Sequence, residues 1–300
     1  MNENFWQEFL KIKNKLKNKF ENLKQIKLEN IVWNKLPKEN KEEIVAIDGS
    51  YNYVRYKSFV FYAISAVALE FNGKSKIYTS FESDIVYNFV EIEDYLKVKM
   101  ILKELELAKK FDKNVMLDGS FSSFYNFTPS LISLLSKEER KKIRENFEKM
   151  NEEELDKLQA VYFNILKIRK IIKELSEKNN LIFSVAKSIS AKRYSKIPDI
   201  FIFDLFEEGY SEIYEEKVGL NFITIYFKLS KNSQIFKLTT FEKNKDKIER
   251  ILSILKAYEV NGYPYPLTQA HKNCKITNEE IKKMIKIIGI TEKTGREVLL

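Results

Sequence analysis

Residues 43–51 of the chain read Glu43-Ile-Val-Ala-Ile-Asp-Gly-Ser-Tyr51. A short apolar run, from Ile44 to Ile47, leads into Asp48 and then into a Gly-Ser pair. This pattern is typical of a buried strand, because the run has strand length and is bounded by turn residues. We therefore predict a strand that carries the carboxylate of Asp48 at its C-terminal tip, where the chain turns.

The chain repeats this arrangement as Val115-Met-Leu-Asp-Gly-Ser120, with Asp118 at the second predicted tip. Ordinary turn chemistry explains one Asp-Gly-Ser, since glycine accepts positive φ and aspartate or serine bonds the local backbone. It explains two copies less well, because each of them follows an apolar strand. We predict that the rest of the chain is arranged to hold these two aspartates.

Composition indicates a globular protein. The 300 residues are 44% hydrophobic and 32% charged, and only 8 Gly and 5 Pro argue against long linkers. No apolar run approaches the roughly 18 residues of a membrane span, and Met1 to Trp6 lack the pattern of a secretory signal. The single cysteine, Cys274, excludes an internal disulfide framework and a cysteine-based zinc site. We expect a cytoplasmic protein with no membrane partner.

The net charge of +9, from 52 Lys+Arg against 43 Asp+Glu, permits a polyanionic partner such as nucleic acid. The charge does not require a nucleic-acid partner, because a Lys/Glu-rich composition is also common in thermophile proteins. The sequence has no phosphate-binding P-loop, no dinucleotide-binding glycine motif and no nucleophile elbow. These absences argue against ATP hydrolysis through a P-loop fold and against covalent hydrolysis.

The first half of the chain is predicted to begin with a helix and to continue with a meander of strands. Apolar residues recur at spacings of three and four from Phe5 to Leu23, which predicts an amphipathic helix within residues 1–30. The elements predicted after it are strands over 44–48, 51–56, 59–71 and 76–81, a helix over 92–111 and a strand over 114–118.

The second half is predicted to contain a helical insertion and further strands. Residues 130–179 have no glycine or proline and carry an apolar stripe at helical spacing, so we predict an inserted helical arm. Thr277 and Glu280 form a capping box that predicts a C-terminal helix within 277–300. The other predicted elements are strands over 181–186, 199–206, 221–229 and 234–241 and a helix over 246–258. The simplest organisation is one α/β domain over 1–300, with its core at about 43–129 and 180–276.

Paired carboxylates on strand tips suggest binding of a divalent cation, because Mg²⁺ and Mn²⁺ prefer carboxylate oxygens beside substrate phosphates. Two such ions can stabilise the attacking and leaving oxygens of a phosphodiester, which usually requires a third carboxylate. The helix between the aspartates offers Glu104 and Glu106, and periodicity does not choose between them. Lys187 follows a strand and could neutralise a phosphate. His271, the only histidine, could bind metal or transfer a proton.

Four motifs in order resemble the NurA nucleases of archaea and bacteria. They are Ala46-Ile-Asp-Gly-Ser-Tyr51, Met116-Leu-Asp-Gly-Ser120, Ala186-Lys-Ser188 and Gly262-Tyr-Pro-Tyr-Pro-Leu followed by Ala-His271. The resemblance spans residues from about 44 to about 276 and implies an RNase H-like mixed sheet flanked by helices. The predicted order, a strand with an acid, a meander, a helix and a second strand with an acid, agrees with that fold.

The resemblance also implies a function and a set of site residues. It implies a nuclease dependent on Mn²⁺, or on Mg²⁺, with 5′–3′ exonuclease and single-strand endonuclease activity on single-stranded and duplex DNA ends. It implies a homodimer that works with a hexameric HerA-type ATPase translocase in DNA end resection. By position, Asp48, Asp118 and His271 match metal ligands, and Lys187 matches a basic residue lining the site. The helix acid is Glu104 or Glu106, with Glu104 favoured because it lies further from Asp118.

Two alternatives belong to other functional classes. A nuclease-like scaffold could bind DNA or an ATPase without cutting, using the basic charge and the N-terminal helix. The paired aspartates and His271 argue against it, since a pure binder does not need acids where phosphates approach. A phosphotransferase or ATPase on the same fold would need nucleotide recognition, and the sequence has no glycine-rich phosphate loop.

Overall fold

The computed structural model describes residues 3–24, 31–71, 75–87, 91–187, 192, 198–231 and 233–290. The helices are α1 (Glu3–Lys24), α2 (Ile92–Lys109), α3 (Phe121–Asn126), α4 (Lys137–Asn146), α5 (Lys157–Glu177), α6 (Asp199–Phe203), α7 (Ile248–Ala257), α8 (Tyr265–Cys274) and α9 (Asn278–Ile287). The strands are β1 (Trp33–Asn34), β2 (Ile44–Arg55), β3 (Phe59–Phe71), β4 (Ser75–Tyr87), β5 (Asn114–Asp118), β6 (Ile182–Ala186), β7 (Gly209–Ser211), β8 (Tyr214–Lys217), β9 (Asn221–Lys228), β10 (Phe236–Phe241), β11 (Glu259–Val260) and β12 (Tyr263–Pro264). Short 3-10 helices lie at Ser130–Leu134, Glu152–Glu154 and Glu242–Lys247.

One mixed sheet organises the fold, in the order β1-β7-β9-β10-β6-β5-β2-β3-β4, with β8 beside β9. Strands β2, β3 and β4 form the predicted antiparallel meander. Strand β5 then lies parallel to β2, and β6 lies parallel to β5. The predicted fold class, a mixed sheet flanked by helices, is confirmed, and the strand order in its core is β4-β3-β2-β5-β6.

The prediction that the first aspartate strand ends at Asp48 is wrong. Strand β2 continues without a break to Arg55, and Asp48 lies inside it, opposite Val67 of β3. The strand continues because β3 extends alongside it as a hydrogen-bonding partner, whereas β5, on its other side, ends at Asp118. The predicted strand over 51–56 is therefore the second half of β2.

Helices cover both faces of the sheet. One face packs under α2 and α5, and the other packs under α7 and α8. The insertion over 130–179 is helical, as predicted, but it does not project as an arm. Helix α5 buries Val161, Ile165, Ile168 and Ile172 and packs against α2, so the insertion completes one layer of the core.

The run predicted as a strand over 199–206 is instead the short helix α6. Such a short apolar run does not distinguish a strand from a buried helical turn. Pro198 stands at its N-cap, and the buried carboxylate of Asp199 accepts a hydrogen bond of 2.8 Å from the hydroxyl of Tyr226. The proline at the helix start and the tertiary hydrogen bond of Asp199 are both compatible with this helical turn.

The two terminal helices follow the sequence pattern. Helix α1 is amphipathic, and apolar side chains on it, including Phe5, Phe9 and Leu16, are exposed. The capping box predicted for Thr277 and Glu280 is present at the start of α9. The ends predicted for these helices, residues 25–30 and 291–300, lie outside the described residues. Within the described ranges, no helix is both long enough and apolar enough to cross a membrane.

Candidate metal centre

The register between β2 and β5 places the two aspartates side by side. Ala46 pairs with Met116 and Ile47 pairs with Leu117, so the next residue on each parallel strand is an aspartate, Asp48 or Asp118. Residues at equivalent positions of neighbouring strands point to the same face of a sheet. The two carboxylates therefore occupy one face, at the point where β5 ends.

Asp48 is held from two sides. Its Oδ2 lies 2.8 Å from Nδ1 of His271 on α8, and its Oδ1 accepts a hydrogen bond of 2.8 Å from the backbone N–H of Gly49. Burial raises the pKa of the Asp48 carboxyl, the charge of Asp118 raises it further, and His271 acts in the opposite direction. The side chain of His271 remains 53% exposed, so a substrate can reach the imidazole.

Asp118 accepts hydrogen bonds from two residues distant in sequence. Lys187, directly after β6, places its Nζ 2.8 Å from Oδ2, and the hydroxyl of Tyr263 donates to the same oxygen at 3.2 Å. The Lys187 ammonium also lies 4.5 Å from the centre of the Tyr263 ring. Burial and the neighbouring Asp118 raise the pKa of Tyr263, so its hydroxyl stays protonated and donates.

The side chain of Glu104 on α2 occupies space beside β2 that is open only because residue 49 is a glycine. A Cβ at Gly49 would lie 2.3 Å from Oε1 of Glu104. The Glu104 side chain is 2% exposed, and its Oε2 has no hydrogen-bond partner. Burial raises the pKa of Glu104 well above its ordinary value, and the charges of Asp48 and Asp118 add to the shift.

Glu106, the other helix acid, does not join this group. Two residues further along α2 it faces about 200° away from Glu104. Its carboxylate lies 3.9 Å from Nζ of Lys167 on α5, and its side chain is 44% exposed. Of the six residues that the sequence singled out, the structure thus brings together Asp48, Asp118, Glu104, Lys187 and His271, and it leaves Glu106 outside.

Two residues at the centre were missed from the sequence. Tyr263 was quoted only as part of a motif. The single Cys274 led to the exclusion of a disulfide framework and of a cysteine-based zinc site, yet Asp48, His271 and Cys274 each place a ligand atom within 4.8 Å of the others. The signal was available, because His271 and Cys274 are three residues apart and this spacing puts two side chains on one face of a helix. The exclusion applies to sites of several thiolates and does not extend to a mixed set.

The donor set fits a divalent cation. The charges of Asp48, Asp118 and Glu104 act on one another, so the three carboxyl groups share one region, and of the three only Glu104 has a buried oxygen without a partner. A buried acceptor without a partner is costly, and so is repulsion among like charges. A cation at this point would relieve both, and oxygen ligands with one imidazole suit Mn²⁺ or Mg²⁺.

Comparison with known proteins agrees with this geometry. The model of the NurA domain matches residues 42–276. The chain belongs to the NurA family. The family predicted from the four sequence motifs is therefore confirmed.

Curated relatives in this family are named for a repair activity. The "DNA double-strand break repair nuclease NurA" of Sulfolobus acidocaldarius is 28% identical over 282 residues, which cover 85% of this chain and 83% of that protein. The "probable DNA double-strand break repair nuclease NurA" of Methanocaldococcus jannaschii is 26% identical, over 84% of this chain and 79% of that protein.

Solved NurA structures share the fold. The NurA nuclease from Sulfolobus solfataricus superposes with a TM-score of 0.76 at 22% identity, covering 96% of this chain and 97% of that one. A NurA structure bound to dAMP and manganese superposes with a TM-score of 0.71 at 15% identity, covering 98% and 99%.

Proposed function

We propose that this NurA-family chain is a metal-dependent deoxyribonuclease that acts in the repair of DNA double-strand breaks. The observation that carries the proposal is the convergence of Asp48, Asp118 and Glu104, with one buried carboxylate oxygen left without a partner. An acidic cluster costs stability in an empty protein, so its presence is best explained by a bound cation. Manganese is favoured, because NurA structures have been solved with this ion.

The metal ligands in this proposal are Asp48, Asp118, Glu104 and His271. A bound divalent cation would supply Lewis-acid stabilisation of charge on phosphodiester oxygens. The chain's own residues would do the remaining work. The buried carboxylates fix the position of the ion, since Gly49 and the strand register leave them little freedom.

Lys187 and His271 are proposed to act on the substrate. The Lys187 ammonium is held at Asp118 and over the Tyr263 ring, where it can neutralise a non-bridging phosphate oxygen. His271 is half-exposed and contacts Asp48 through Nδ1, so its Nε2 faces outward and is available either to bind the ion or to exchange a proton with the substrate. Glu106 has no role in this scheme.

The finer features of the function are proposed from the family resemblance. They are 5′–3′ exonuclease and single-strand endonuclease activity on DNA ends, a HerA-type ATPase partner, a homodimer and a cytoplasmic location. The net charge of +9 supports a nucleic-acid substrate. The exposed apolar side chains of α1 support a contact with another chain.

Cleavage of end-labelled single- and double-stranded DNA with Mn²⁺, Mg²⁺ or EDTA tests the proposal. Glu104→Gln and Asp48→Ala are expected to lower Mn²⁺-dependent cleavage by at least about a hundredfold, because loss of even an outer-shell partner costs 10–100-fold. Glu106→Gln, a matched change on the same helix, is expected to keep the wild-type rate. Circular dichroism checks that each variant folds.

The same assay distinguishes the scaffold alternative. If the wild-type protein binds DNA but cuts it with neither metal, alone or with its ATPase partner, the catalytic proposal fails and the scaffold stands. If Glu106→Gln loses as much activity as Glu104→Gln, the assignment of the helix acid is wrong.

A further inference from the structure

The side of the centre next to α8 contains a donor of a different chemical class. Cys274 lies one turn after His271, and it is 1% exposed. Its sulfur is part of the group in which Asp48, His271 and Cys274 place ligand atoms within 4.8 Å of one another. Its Sγ–H is close to two acceptors, the carbonyl of His271 at 3.4 Å and the carboxylate of Asp48.

A second observation concerns the Glu104 carboxyl group beside this part of the centre. The Glu104 carboxyl group is close enough to raise the pKa of the Cys274 thiol, after burial and the charge of Asp48. The same carboxyl group is almost completely buried and has no partner at Oε2. Cys274 therefore has near it a buried carboxyl group with one oxygen left without a partner.

We propose that Asp48, His271 and Cys274, with Glu104 beside them, form a mixed sulfur, nitrogen and oxygen site for a thiophilic divalent cation such as Zn²⁺. This inference deepens the proposed function, because Asp48 and His271 belong to the same centre. Thiolate, imidazole and carboxylate are all ligands of Zn²⁺, whereas Mg²⁺ and Mn²⁺ gain little from sulfur. The consequence is competition, in which Zn²⁺ excludes Mn²⁺ from the nuclease centre.

The geometry requires only small movements. Ligands of a tetrahedral zinc ion lie about 3.3–3.8 Å apart, given bond lengths of roughly 2.0–2.3 Å. The three ligand atoms are already within 4.8 Å, so rotation of the side chains on α8 and β2 can close the set. Binding would convert the Cys274 thiol to a thiolate and release its proton to solvent.

Titration of the full-length chain with Co²⁺ tests the inference without measuring cleavage. Cobalt bound to a thiolate gives a sulfur-to-metal charge-transfer band in the near ultraviolet, and cobalt bound to oxygen and nitrogen alone gives only visible bands. Since the chain has 1 cysteine, any such band reports Cys274. We expect the band in the wild-type protein, its absence in Cys274→Ser, and its loss when Zn²⁺ displaces Co²⁺.

Calorimetric titration with Zn²⁺ gives the second readout. Cys274→Ser is expected to bind Zn²⁺ at least about tenfold more weakly, the lower end of the cost of losing an outer-shell partner. Cys274→Ala repeats the test if the serine variant does not fold. The Co²⁺ charge-transfer band of the wild-type protein tests the thiolate ligand without any variant.

The outcomes separate this inference from the proposed function. Visible Co²⁺ bands without a charge-transfer band in the wild-type protein would overturn the thiolate site and leave the metal centre intact. Equal Zn²⁺ affinity of the wild-type and serine proteins would overturn it as well. A wild-type protein that binds neither Co²⁺ nor Mn²⁺ would instead overturn the proposed function together with this inference.

Discussion

Glu104→Gln is expected to stabilise the metal-free protein by an amount that grows with pH. Burial and the charges of Asp48 and Asp118 hold the pKa of Glu104 well above 4.5 in the folded chain. The unfolded chain releases this proton near the ordinary value. Between the two pKa values the native state binds more protons than the unfolded state, so the free energy of unfolding falls as pH rises.

The size of the effect follows from proton linkage. One proton corresponds to a slope of up to about 1.4 kcal/mol per pH unit, or about 2.7 kcal/mol over two units below the folded pKa. Glutamine has no proton to lose, keeps the size of the side chain and can still accept from the backbone of Gly49. Asp48, whose pKa is also raised, contributes with the same sign in both proteins and largely cancels.

Urea unfolding in EDTA at several pH values between about 5 and 8 measures this difference. Glu106→Gln is the matched control, since it removes a partly exposed glutamate from the same helix. A stability difference between Glu104→Gln and wild type that stays constant with pH would refute the argument. The same slope in Glu106→Gln would refute it too. Added Mn²⁺ should reverse the order, because a ligand stabilises the form that binds it better.

Three further substitutions test other contacts. Gly49→Ala places a Cβ 2.3 Å from Glu104 Oε1. It should lower the free energy of unfolding in urea by about 1–3 kcal/mol and weaken Mn²⁺ binding in calorimetry. If neither value changes, the close approach of Glu104 to Gly49 is contradicted. Lys187→Ala should tighten Mn²⁺ binding, because it removes a competing cation from Asp118. The rate of DNA cleavage should nevertheless fall by about tenfold or more. Weaker Mn²⁺ binding in this variant would contradict the proposed role of Lys187. Thr277→Ala removes the N-cap of α9 and should lower the free energy of unfolding in urea by about 1 kcal/mol. An unchanged free energy of unfolding would mean that the cap is not formed in solution.

The two Asp-Gly-Ser copies show how far sequence reasoning reached. It predicted that the two aspartates lie next to each other on buried strands and mark a centre, and the register of β2 and β5 does bring them together. It read both glycines as turn residues, which fits Gly119 with its φ of +117°. It does not fit Gly49, which stays within a continuous strand. A local motif does not reveal that a neighbouring strand continues as a hydrogen-bonding partner.

The choice between Glu104 and Glu106 required tertiary structure for a related reason. Both acids flank the apolar stripe of α2, and both sides of that helix are covered, by the sheet and by α5. Burial of one glutamate against β2 and exposure of the other beside Lys167 depend on how the inserted helices pack. The sequence predicted these helices as an inserted arm without saying what they pack against, so it gave no basis for that packing.

The pattern of partners around the centre explains where a cation is most needed. Lys187 and Tyr263 donate to Asp118, and His271 lies against Asp48, so each aspartate has a polar side-chain partner from outside the acidic group. Glu104 has no such side-chain partner among the described residues. The neighbouring lysine on α2, Lys103, pairs with Glu82 instead. Folding thus leaves one buried carboxyl group without a balancing cationic side chain among the described residues, and its raised pKa reflects this. The absence of a Cβ at Gly49 makes that position possible, and a cation bound there would stabilise the ionised form of Glu104.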